Sequence, residues 1–140
     1  ITMFYGGLCV LLVVFLATRV ALWRLRHKIR FGDGGDKELI KRVRAHANAT
    51  EYLPLALLLL GGMELNGQAY DGLWLHIDQP TLLHVFGATL FLSRVAHAWG
   101  VSSNSVSFKR RMFGTIFTWL LMIVLALFAI AGYFQQFEIG

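Results

Sequence analysis

RAHANATEYLPLALLLLGGM, residues 44–63, is the stretch on which the fold turns. Its second half is almost purely leucine, while its first two turns are polar. About 20 residues at ~1.5 Å rise each match the ~30 Å hydrocarbon core of a bilayer. Backbone groups in lipid need partners within their own segment, so a run of this kind is expected to be helical.

Three further apolar runs lie outward from it. The first covers about 3–23 and is interrupted only by Arg19 near its end. Another covers about 80–99, with Arg94 and His97 near its end. The last, 113–134, has no charge at all. The chain has 140 residues, of which 56% are hydrophobic and 15% charged; a soluble domain is nearer a quarter charged. The fold class expected is therefore all-α: an integral membrane four-helix bundle, with residues 1–140 forming one transmembrane domain. The chain opens on Ile1 rather than Met, so a few leading residues are expected before it. The first run lacks a basic flank and a small-residue cleavage site, which predicts a retained helix rather than a signal peptide. The lone cysteine, Cys9, lies inside an apolar run and excludes a disulfide framework.

Charge sets the expected orientation. Of 13 Lys and Arg, eight fall between or just inside the first two runs: Arg24, Arg26, Lys28, Arg30, Lys37, Lys41, Arg42 and Arg44. Lys109, Arg110 and Arg111 precede the fourth run. The connection between the second and third runs carries Glu64, Asp71 and Asp78 but no Lys or Arg. Positive residues concentrate in the cytoplasm, so both termini are expected outside it. The formal charge of +5 is not read as a nucleic-acid surface, because the basic residues flank spans of membrane length.

Within the deciding stretch, Arg44, Asn48 and Glu51 recur at helical spacing and share one face, with Tyr52 beside it. His46 and Thr50 point the other way. A helix polar on two faces cannot hide both inside one bundle, so one face is expected to meet a neighbouring subunit. Glu51 lies about 10 Å along the axis from Arg44. A carboxylate at that depth needs a partner or a wet cavity, and Arg94 of the third run is the expected structural partner. Pro54 removes one backbone bond and predicts a kink. Arg94 and His97 share a face of the third helix. The five histidines (His27, His46, His76, His84 and His97) form no ligand-spaced pair with a carboxylate, so no metal is expected. The polar inventory is several arginines, one carboxylate, one amide and tyrosine or histidine donors. It suits a small anion with more than one carboxylate and one amine, as glutathione is. For Arg24, Lys28 and Lys37 contact with anionic lipid is the simpler role.

RAHANATEYLP followed by leucines resembles the second-helix signature of the MAPEG superfamily, the membrane-associated proteins of eicosanoid and glutathione metabolism. RVAH at residues 94–97 is similar to the third-helix motif of its prostaglandin E synthase branch. The GDGG connection at residues 32–35 most resembles small bacterial members. The resemblance implies a homotrimer in the bacterial inner membrane, with glutathione as co-substrate bound between subunits near the cytoplasmic surface. It implies that Arg44, Asn48, Glu51, Tyr52, Arg94 and His97 hold glutathione, with Arg26 and His46 contributed by the adjacent subunit. Arg110, or else Arg111, would activate the thiol. It further implies transferase or peroxidase chemistry on a lipophilic electrophile in the membrane. Two departures stand out: Val101 occupies the position of a tyrosine frequent in the family, and the serine-rich loop 102–107 is differently spaced. The family also has a non-enzymatic lipid-presenting member, so binding without turnover is an alternative. A small transporter or proton relay built on Glu51 and Arg94 is a second.

Overall fold

The computed structural model describes residues 1–66, 78–102 and 108–138, the side chains of 108–111 and 135–138 excepted. Asp71, His76 and the loop 103–107 lie outside the described residues. Among the described residues four helices follow one another: α1 Thr2–His27, α2 Lys37–Leu65, α3 Gln79–Ser102 and α4 Phe108–Glu138. All four are longer than the apolar runs that predicted them.

Local chemistry explains where they stop and start. α1 ends at Lys28 in the left-handed conformation (φ 54°), with Arg24, Arg26 and His27 in its last turn, where cations complement the helix dipole. Gly32, Gly34 and Gly35 all have positive φ, the conformation glycine adopts without steric cost. The turn delivers Asp36 as the N-cap of α2: its Oδ1 accepts from the N–H groups of Glu38 (2.8 Å) and Leu39 (3.0 Å). α2 runs unbroken through Pro54. At its far end Gln79 Nε2 donates to the carbonyls of Met63 (2.8 Å) and Glu64 (3.1 Å), tying the start of α3 to the end of α2.

α2 touches each of the other three helices, and α3 packs along α4. Its buried line, Ala45, Ala49, Leu53, Ala56, Leu60 and Met63, advances by three or four residues, the spacing of one helix face. Alanines at the polar end let neighbouring backbones approach closely; leucines fill the apolar end. The exterior is apolar, with Phe4, Leu11, Leu58, Leu92 and Ile123 all exposed. Among the described residues two helical segments, Thr2–His27 and Met112–Phe134, are long and apolar enough to cross a membrane by length and composition. α2 falls short because its first turns are polar, and α3 because it carries His84, Arg94 and His97.

Candidate functional site

The polar stripe of α2 opens onto a cleft of about 410 Å³, within the range typical of small-molecule sites. Lys41, Arg44, Asn48 and Glu51 form one wall from α2; His97 and Val101 form the other from α3. The α2 residues are spaced by three, four and three, so they stack on one face over three turns. Lys41 is ion-paired with Glu38, Nζ to Oε1 at 2.6 Å. Arg44 and Glu51 are exposed in the cleft, and Glu51 is in no ion pair among the described residues.

The expected Glu51–Arg94 pair is not formed. Arg94 is 1% exposed and bridges α2 and α4 behind the cleft wall. Its Nη1 donates to Asn48 Oδ1 at 2.6 Å, and its Nη2 donates to the Gly114 carbonyl at 2.7 Å and to Thr118 Oγ1. Thr118 Oγ1 also bonds Ser93 Oγ at 2.9 Å. The physical reason is geometric. α3 packs along α4, where Gly114 bares a carbonyl, so neutral oxygens reach the guanidinium before the Glu51 carboxylate can. Tyr52 packs beside this group: the Arg94 guanidinium lies 5.3 Å from its ring centroid, and its hydroxyl accepts from Trp119 Nε1 at 3.1 Å.

The structure thus gathers Arg44, Asn48, Glu51 and His97 around one cleft, with Arg94 and Tyr52 one layer behind. His46 lies on the opposite face of α2, in a separate groove of about 310 Å³ shared with Arg24 and the apolar residues of α1. Arg26 is exposed on α1, away from the cleft. Arg110 and Arg111 are in the first turn of α4, but their side chains lie outside the described residues. Cys9 is buried among core residues of α1 and its neighbours, in the half of α1 far from the cleft. Two participants went unread in the sequence. Lys41 continues the stripe by one turn and could have been found from its spacing. Thr118 carried no signal, being one hydroxyl in a chargeless span.

A family model described as the MAPEG family matches residues 2–131. Inner membrane protein YecN of Escherichia coli (strain K12) is 33% identical over 124 residues, covering 87% of this chain and 86% of its own length. The protein of the same name from Escherichia coli O6:H1 shows the same identity and coverage. The helical fold and the apolar exterior agree with that match, and the chain belongs to the MAPEG family of membrane proteins.

Proposed function

We propose that this protein binds glutathione in the α2–α3 cleft and uses its thiolate to attack, or to reduce, lipophilic electrophiles dissolved in the membrane. The observation that carries the reading is the cleft wall, where Arg44, Asn48 and Glu51 line one face of α2 opposite His97. A guanidinium suits a carboxylate, and an unpaired carboxylate suits the ammonium of a peptide. Arg26 and His46 would come from a neighbouring protomer of a homotrimer, which gives the second polar face of α2 a purpose. Arg110, with Arg111 as the other candidate, would stabilise the thiolate and raise its fraction at neutral pH. In conjugation the sulfur forms the new bond to carbon as the electrophile's leaving group departs. In reduction it takes the outer oxygen of a hydroperoxide as the O–O bond breaks and the alcohol leaves, and a second glutathione thiol then forms the disulfide and releases water. The placement of YecN suggests the bacterial inner membrane, and the charge asymmetry suggests that the cleft faces the cytoplasm with both termini outside.

Binding of glutathione or lipid without turnover is the second reading. It is favoured by Val101, which presents an apolar wall to the cleft where a hydroxyl would help hold a thiolate. Calorimetry with glutathione on the detergent-solubilised protein tests both. Wild-type protein should bind, and Glu51→Ala should weaken binding by about tenfold or more. Arg110→Ala should leave binding largely intact while depressing conjugation of an aromatic electrophile and reduction of a lipid hydroperoxide. Binding with neither activity selects the second reading; no response to millimolar glutathione defeats both.

A further inference from the structure

Arg94 is a buried cation whose hydrogen-bond acceptors among the described residues are all neutral. They are an amide oxygen, a backbone carbonyl and a hydroxyl. Among the described residues no carboxylate pairs with it, and its Nε is buried without a hydrogen bond. A charge removed from water without a counter-charge is strongly unfavourable, so such a group is a candidate for function rather than for stability.

The bond to Asn48 fixes what the cleft presents. A guanidinium can only donate, so the Asn48 atom 2.6 Å from Nη1 is its oxygen. The amide N–H₂ group must then take the other branch. It makes no hydrogen bond among the described residues, and Asn48 lines the cleft. A positive charge at the oxygen end of an amide draws electron density toward that end and strengthens the N–H groups as donors. Thr118 and the Gly114 carbonyl hold the guanidinium from the α4 side.

Resting on the glutathione reading, we infer that Arg94 and Asn48 act as one unit. The buried guanidinium orients and polarises the amide so that its N–H₂ receives a carboxylate of the ligand, which supplies the negative charge this layer lacks. Arg94 is then a positioning residue that makes the cleft selective for anions without touching the ligand. Glu51 remains available for the ligand's ammonium, a division of labour that a Glu51–Arg94 pair would have abolished.

Asn48→Asp separates this role from a structural one. The new carboxylate accepts the same bond and adds an ion pair, so the melting temperature should be unchanged or raised. The same change replaces the donor facing the cleft by an acceptor and cancels the buried charge, so glutathione affinity should fall by at least about tenfold. Arg94→Gln, which keeps a donor but removes the charge, should also weaken binding, and combining the two should add little further loss. If wild-type protein binds and Asn48→Asp binds within about threefold of it, or if Asn48→Asp lowers the melting temperature, the inference is wrong and the glutathione reading stands. If wild-type protein itself ignores glutathione, both fall, and the wild-type titration alone reveals that case.

Discussion

At Gly114 the chain has no room for a side chain. A Cβ there would lie 2.7 Å from the Ser93 carbonyl oxygen and 2.8 Å from both the backbone nitrogen and the Cβ of His97. Two of those neighbours are α3 backbone atoms, which cannot swing aside as a flexible side chain would. Gly114→Ala should therefore force α3 and α4 apart where Arg94 bonds the Gly114 carbonyl. A loss of about 1–3 kcal/mol is expected, in the range of overpacking in a well-filled interior. Thermal unfolding in detergent measures it, and an unchanged midpoint would show that the approach of the two helices is looser than described. The same neighbourhood shows where residue-level reading stops. Arg44, Asn48 and Glu51 could be grouped from spacing alone, because a helix face follows from periodicity. The partner of Arg94 could not. A search for opposite charge leads to Glu51, whereas the packing of α3 on α4 supplies a carbonyl and a hydroxyl instead. Which neutral groups lie at a given depth depends on helix rotation, and a single chain of letters does not carry it.

The second helix extends this contrast to whole elements. Hydropathy marks the part of a helix that matches the bilayer, not the whole helix, so the apolar run beginning near Arg44 underestimated α2 by two turns. Asp36 sets the true start, and the KELIKRVR stretch between it and the membrane is helical because that cap satisfies its first amides. Asp36 also joins two elements: its Oδ2 accepts from Trp23 Nε1 of α1 at 2.9 Å, and Arg42 lies over the Trp23 ring at 4.3 Å. The Trp23 bond, followed by the amide of Leu39, holds the Asp36 carboxyl below its ordinary pKa. A carboxylate depressed in the folded state contributes fully above the usual carboxylate range and stops contributing as pH falls through its lowered value. The protection of the Glu38 and Leu39 amides, measured against the intrinsic exchange rate at each pH, should therefore fall on acidification below that range. Asp36→Ala should produce the same loss of protection at neutral pH. Asp36→Asn, which can still cap but does not titrate, should keep slow exchange there and lose the acid dependence. Equal acid sensitivity in Asp36→Asn and wild type would assign the effect to another group.

Seen whole, the molecule presents two polar faces from one helix. The cleft holds Arg44, Asn48 and Glu51, while His46 and Arg24 open onto a groove on the far side of α2. Within one chain these faces cannot converge, since the buried line from Ala45 to Met63 lies between them. A single ligand can touch both only if a second copy of the chain brings its groove face against the first copy's cleft. Such a contact uses different surfaces on the two protomers, and repeating it closes a ring when the rotation allows. The homotrimer in the proposed function has this form, and it makes a prediction that no monomeric site shares. Chains carrying Glu51→Ala spoil the cleft side of every site they form, and chains carrying His46→Ala spoil the groove side. Each variant alone should bind glutathione poorly. When the two are co-expressed, some neighbours pair the intact cleft of a His46→Ala chain with the intact groove of a Glu51→Ala chain. Random assembly should restore about one site in four. Calorimetry of the mixed complex should then show tight binding at a fraction of wild-type stoichiometry, whereas mixing the two proteins after separate purification should show none. Recovery without co-assembly, or none in co-assembled rings, would confine the site to one protomer and leave the His46 face to contacts with lipid.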